Sequence, residues 1–329
     1  MSMRSGKARP HLPWAMPHLI ELTAPDIAAH RQGNTGIDYV HSFASHRPGP
    51  HLMISAVVHG NELCGALTLD FLLREQVRPL RGTLTLAFAN VAAFHRFDHH
   101  APTESRKVDE DFNRVWDETT LDGARQSVEL TRARALRPLL DQVDLLLDIH
   151  SMQHPTAPLV LCGPTAKGQA LARAITFPAY VVADEGHAAG RRMRDYGAFA
   201  DESSHRNALL IECGQHWARS SRAVSDEMAL RFLAHHEMVD PAWLARHLST
   251  TAPPPQKVIR ITDAITVQSD AFSFVQPFVG MEVLPDAGTL LAHDGQREIR
   301  TPYDGCVLIM PSRRLTAGQT AVRLGRVVG

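Results

Sequence analysis

Nearly continuous apolar runs, bounded by charged or turn-forming residues, recur between positions 51 and 213. They are HLMISAVV (51–58), GTLTLAFANV (82–91), DLLLDIH (144–150), PLVLCG (158–163), AYVVAD (179–184) and ALLIEC (208–213). Their shortness and apolar content predict strands, and the scarcity of polar positions predicts a sheet covered on both faces. Between these runs the apolar positions shift to a helical period. ELCGALTLDFLLREQV (62–77) lines up Leu63, Leu67 and Phe71, and SVELTRARALRPLLDQV (127–143) reads as helical up to its proline. SDEMALRFLAHHEMV (225–239) reads as a final helix with Ser225 as its N-cap. Strands that alternate with helices predict an open α/β sheet with helices on both faces.

The pattern changes at STTAPPPQ (249–256), where three consecutive prolines mark a linker. Beyond it, KVIRIT, AITVQ, GTLLAH, GCVLIM and AVRLGRVV are short strands punctuated by glycine turns. The expected organisation is a larger domain over 1–248 and a small all-β domain over 257–329. A chain of 329 residues is long enough for both.

Composition adds mainly exclusions. Hydrophobic residues make up 44% and charged residues 21%, an ordinary globular balance. Lysine plus arginine (34) nearly equals aspartate plus glutamate (35), so no net field favours nucleic acid or an anionic membrane. No apolar run is long enough to span a bilayer. The N-terminal MSMRSGKARPHLPWAMPHLIELT lacks the uninterrupted apolar core of a signal peptide. Four isolated cysteines, Cys64, Cys162, Cys213 and Cys306, form no C-x-x-C pair and are read as reduced, in a cytoplasmic protein. Assembly into a homo-oligomer is left open.

The candidate chemistry gathers where the apolar runs end. His59, His150 and Glu212 each stand at or just past the carboxyl end of a predicted strand, the edge at which open α/β sheets build sites. His59 and Glu62 form an H-x-x-E pair at a strand-to-helix junction, with Gly60 read as permitting a sharp turn. A catalytic zinc takes three protein ligands and keeps one open position. His150 is the natural third ligand, and Asp148, on the same strand face, is placed to accept its other N–H. Glu212, behind a buried strand, is the candidate general base, with a pKa that burial would raise. In SRKVDEDFNRVW (105–116), Arg106, Asn113 and Arg114 cluster in one loop, and arginine suits both carboxylates and developing oxyanions.

HGNE (59–62), DEDFNR (109–114), DIH (148–150) and IECG (211–214), in that order, resemble the succinylglutamate desuccinylase/aspartoacylase family, a branch of the zinc carboxypeptidase-like fold. The resemblance implies an open mixed sheet with helices on both faces and a small C-terminal all-β domain. It implies one Zn2+ per chain held by His59, Glu62 and His150, with Glu212 as general base and then general acid. Arg106 would polarise the scissile carbonyl, and Asn113 and Arg114 would bind a substrate carboxylate. Phe112 stands where the family motif more often has leucine. EGHAAGRRMRDYGAFADESSHR (185–206) departs from familiar members, so Arg191, Arg192, Arg194, Tyr196 and Arg206 are candidate specificity residues, while His216 and Trp217 have no assigned role. Cys64 and Cys213 flank site residues and read as small buried apolar groups.

The leading expectation is a zinc-dependent hydrolase that cleaves the amide of a small N-acyl amino acid. Alternatives are a metallocarboxypeptidase acting on peptides and a metal-dependent binding protein without turnover. Retention of both Glu212 and Arg106 favours turnover.

Overall fold

The computed structural model describes residues 18–186, 189–313 and 315–329. Most of the N-terminal segment tested for a leader, and two positions of the 185–206 stretch, therefore lie outside the described residues. In chain order the elements are β1 (Val40–Ala44), β2 (His51–Ala56), α1 (Leu63–Arg74), β3 (Thr83–Phe88), α2 (Val91–Phe94), α3 (Glu118–Asp122), α4 (Val128–Leu140), β4 (Leu145–Met152), β5 (Leu159–Leu161), α5 (Ala166–Ile175), β6 (Tyr180–Ala183), β7 (Asn207–Gln215), α6 (Arg219–His235) and α7 (Pro241–His247). The C-terminal region adds β8 (Lys257–Thr266), β9 (Phe272–Phe274), β10 (Val283–Leu284), β11 (Leu290–Asp294), β12 (Arg297–Arg300), β13 (Cys306–Ile309) and β14 (Thr320–Val327).

One 11-stranded sheet runs in the order β1-β3-β2-β4-β7-β5-β6-β8-β14-β13-β10. The core strands β3, β2, β4 and β7 are parallel, β5 enters antiparallel to β7, and β6 and β8 run parallel to β5. Alternation along each strand divides the core between the two faces. Leu52, Ile54, Leu147, Ile149, Leu209 and Ile211 pack with α1, α5 and α6 on one face. Met53, Leu146 and Ala208 pack with Leu130, Ala133, Leu136 and Leu140 of α4 on the other. Asp148 and His150 share the parity of Leu146, so they point to the α4 face.

The C-terminal strands continue the sheet. β8 pairs with β6 from Tyr180↔Lys257 to Ala183↔Arg260, and β14, β13 and β10 follow antiparallel. A separate three-stranded antiparallel sheet, β12-β11-β9, packs over them around Phe272, Leu291, Ile299 and Leu308.

Two expectations change. The last long helix begins at Arg219, without a side-chain cap at Ala218, and Ser225 lies buried inside it. Ser225 Oγ meets Thr68 Oγ1 of α1 at 2.6 Å, so it joins two helices instead of opening one. α4 continues past Pro138 to Leu140, because a proline in the last turn sacrifices only one intrahelical bond.

Candidate active site

β2 ends at Ala56, and Val57 then takes a left-handed backbone (φ 64°). That conformation costs a β-branched residue on the order of 1–3 kcal/mol. The Val57 carbonyl accepts Asn90 N–H at 2.9 Å, which ties the turn to the end of β3. The chain leaves the strand at Val57 and turns again across Gly60 and Asn61, where Glu62 N–H donates to the His59 carbonyl at 3.2 Å. Within that turn Gly60 is required by packing: a Cβ there would stand 2.3 Å from the Ala93 carbonyl carbon and 2.4 Å from Ser105 O. Its bareness lets 59–62 pack against α2 and the loop that follows it.

This turn places His59 Nδ1 at 2.7 Å from Glu62 Oε1. From the neighbouring strand β4, His150 Nδ1 lies 3.0 Å from Glu62 Oε2. All three residues are buried, and one ligand atom from each fits within 4.8 Å of the others. The remaining ring nitrogens both face carboxylates: His59 Nε2 stands 3.0 Å from Asp111 Oδ1, and His150 Nε2 stands 2.9 Å from Asp148 Oδ2. Two imidazoles and a carboxylate, each imidazole backed by a second carboxylate, suit a zinc-like divalent ion. Burial alone would raise the Glu62 carboxyl, but the His150 and His59 imidazoles outweigh it and hold it well below the usual carboxylate range. Burial would lower His150, yet Asp148 and Glu62 hold it well above the ordinary imidazole value.

Glu212 is the register partner of His150 across the β4–β7 pair. It is buried and its Oε2 has no hydrogen-bond partner. Burial pushes its carboxyl up to about 8; Glu62 and Asp148 add to the rise, while His150 and Arg106 oppose it. His59, Glu62, His150 and Glu212 line one pocket of about 240 Å³, together with Arg106, Asn113 and Arg114.

The loop between α2 and α3 supplies the cations. Arg106 Nη2 donates to Asp111 Oδ2 at 3.0 Å, and its Nη1 lies 3.9 Å from Glu62 Oε1. Asn113 is occupied at both ends: Oδ1 accepts Met193 N–H at 2.8 Å and Nδ2 stands 3.4 Å from His150 Nε2. Arg114 donates to the Asn113 carbonyl at 2.7 Å. Burial lowers Arg114 to about 10, opposed by Asp111 and reinforced by Arg106, Arg192 and Arg323.

Of the candidates in the 185–206 stretch, Arg192 reaches the pocket wall but is saturated. It binds Asp184 through both Nη atoms at 2.9 and 3.0 Å, and Asp195 through Nε at 2.6 Å. Arg194 is fully buried against Asp195 and the Cys162 carbonyl. Tyr196 pairs with Asp141 and Arg137, and Arg206 donates to the carbonyls of Leu140 and Val143, so both serve the α4 face. Arg191 is exposed, and its carbonyl accepts Trp116 N–H. His216 lines the pocket with Nδ1 2.8 Å from Ser151 Oγ. Trp217 instead donates to the Asn61 carbonyl at 3.1 Å. All four cysteines are free and buried.

Two pocket arginines, Arg313 and Arg323, were not visible in the sequence pattern. Arg323 of β14 lines the pocket and has no hydrogen bond or ion pair among the described residues. Burial lowers its pKa, with Asp184 and Glu212 opposing. Its only signal is parity: it alternates with the buried Val322 and Leu324.

The fold is that of solved succinylglutamate desuccinylases. The Vibrio parahaemolyticus structure matches with TM-score 0.66 at 18% identity, covering 88% of this chain and 86% of that one. The Vibrio cholerae structure gives 0.66 at 20% identity, covering 89% and 86%. The product-bound ectoine utilization protein EutE (DoeB) of Ruegeria pomeroyi gives 0.60 at 17% identity, covering 87% of each. No curated protein matches the chain in sequence. The profile of the "Succinylglutamate desuccinylase/Aspartoacylase catalytic domain" matches residues 48–235. The chain belongs to this family of hydrolytic deacylases. No helix among the described residues is long and apolar enough to cross a membrane.

Proposed function

We propose that the chain is a zinc-dependent deacylase that hydrolyses the amide of a small N-acyl amino acid. The observation that carries this is Glu212: a buried carboxyl, unpartnered at Oε2, next to a His-Glu-His trio. In this reading His59, Glu62 and His150 hold one zinc ion. A divalent metal bound there supplies Lewis acidity toward water and toward a carbonyl oxygen. Glu212 takes the proton of the attacking water and returns it to the nitrogen of the leaving amine, so one water is consumed for each acid and amine released. Arg106 stabilises the negative charge that develops on the carbonyl oxygen. Arg114 binds the substrate carboxylate, and Asn113 holds the position of the loop and of His150.

Residues 1–248 form the catalytic unit, 249–256 the connector, and 257–329 a β unit that shapes the entrance. Met310, Pro311, Ser312 and Thr320 from that unit bound the pocket, and its volume of about 240 Å³ supports a small substrate over a peptide. The test is elemental analysis of purified protein, followed by a panel of N-acyl amino acids scored by release of free amine. Zinc-loaded protein that releases no amine from any of them, while cleaving C-terminal residues from peptides, would replace this reading with a metallocarboxypeptidase.

A further inference from the structure

The loop that carries Arg106, Asp111, Asn113 and Arg114 is held by a carboxylate with no part in the chemistry above. Glu129 lies in the first turn of α4 and is fully buried. Its Oε1 accepts Val108 N–H at 2.7 Å and Asn90 Nδ2–H at 3.1 Å. Its Oε2 accepts the N–H groups of Asp109 at 3.0 Å and Glu110 at 3.3 Å. Three successive backbone amides therefore converge on one side chain, an anion nest filled from within the chain. The contact is returned in the opposite direction. Asp109 Oδ2 accepts Val128 N–H, at the first residue of α4, at 2.8 Å. Lys107 and Asp109 are themselves exposed, and Val108 and Glu110 are half-buried.

We propose that Glu129 and Asp109 form a reciprocal clasp that presets the 105–114 loop, so that Arg106 and Arg114 stand at the pocket before substrate arrives. Glu129 is a positioning residue, acting through the loop backbone. Its effect on turnover rests on the deacylase reading given above; the clasp itself does not. Glutamine at 129 keeps the volume but replaces one acceptor edge with a donor, which then faces amide donors.

The experiment is amide hydrogen exchange on the zinc-loaded full chain, followed by kinetics. In the wild type, amides 108–110 should exchange at least ~10²-fold more slowly than those of the exposed turn at 295–296. In Glu129→Gln their exchange should speed up at least ~10-fold, with metal content unchanged. For an N-acyl amino acid that the wild type cleaves, kcat should fall and KM rise together, and Glu129→Asp should recover part of both. Because Glu129 is buried, the exposed Asp109→Asn serves as the second variant and should accelerate the same amides. Wild-type amides at 108–110 that exchange like the 295–296 turn would overturn the clasp, whatever the substrate. Accelerated exchange with unchanged kcat and KM would overturn the positioning role. Protected amides in a protein that releases no amine would overturn the deacylase reading and support the clasp.

Discussion

Replacing Glu212 with glutamine should raise stability while abolishing most of the turnover, and the two effects have one origin. The carboxyl is buried, its Oε2 is unpartnered, and its pKa is pushed from an ordinary 4.5 to about 8. In the unfolded chain this group ionises near 4.5, and in the folded chain only near 8. Between those values the unfolded state releases a proton that the native state retains, so native stability falls as pH rises through this window and is level outside it. A shift of about 3.5 units at 1.36 kcal/mol per unit sets a ceiling of about 5 kcal/mol. Relaxation and water entry reduce it, and about 2–4 kcal/mol is expected. Glutamine carries no charge, so its burial cost does not vary with pH.

The assay is urea denaturation of metal-free wild type and Glu212→Gln at pH 5 and pH 8.5. The variant should gain on the wild type between the two values. Zinc-loaded variant should hydrolyse substrate ~10²- to 10⁴-fold more slowly, the usual contribution of a general acid–base group. A stability difference that does not change with pH would mean that Glu212 ionises normally in the folded protein. Turnover near the wild-type rate would move the proton transfer to another group.

Further substitutions separate the other roles. His150→Ala should empty the metal site by elemental analysis, and full occupancy would remove it from the ligand set. Asp111→Asn should keep the metal but weaken its affinity by about 10- to 100-fold in a chelator competition, the usual cost of losing a carboxylate behind a liganding imidazole. Arg106→Ala should lower kcat ~10²- to 10³-fold, as loss of an oxyanion donor does. Arg114→Ala should mainly raise KM, with a charge-assisted bond of roughly 1.5–3 kcal/mol setting a limit near a hundredfold. That penalty should vanish for a substrate whose carboxylate is replaced by an amide, and equal loss on both substrates would make Arg114 structural.

The strands were legible because apolar runs covered on both faces have few other interpretations. The six runs read between 51 and 213 became β2, β3, β4, β5, β6 and β7, within a few residues at each end. β1, α5 and α7 were not legible. VHSFA carries two polar residues in five, α5 packs only its Leu171, Ala172 and Ile175 side, and α7 is seven residues long. Ser225 misled because a serine before an apolar stretch looks like a cap, whereas the true helix start at Arg219 has none. Glu129 was invisible for a related reason. A glutamate in the first turn of a helix suits the helix dipole and invites no further question, and only the loop folding back onto it reveals the four hydrogen bonds it accepts.

Strand direction explains why the pocket exceeds what the motifs showed. Reading sites at the carboxyl ends of strands recovers residues from β2, β4 and β7, which are parallel and adjacent, and it leads directly to His59, Glu62, His150 and Glu212. The same edge of the sheet also receives the amino ends of strands that run the other way. β5 is the strand that runs the other way next to β7: its first residue, Leu159, pairs with Glu212, and Thr156 just before it borders the pocket. β14 is antiparallel to β8 and so runs in the same sense as β7, yet Thr320 and Arg323 in its first half also line the pocket. The wall contributed from outside the motifs therefore includes residues at strand starts, such as Thr156 and Thr320, beside others that follow strand ends, such as Met310 to Arg313 after β13. Arg192 on that wall is neutralised by two aspartates, whereas Arg323 makes no ion pair among the described residues. Arg323→Ala should for this reason change KM among acidic substrates more than Arg192→Lys changes it. If Arg192→Lys were the more damaging to KM while the fold stayed intact, substrate charge would be read by the Asp184–Arg192–Asp195 network and not by the strand that completes the sheet.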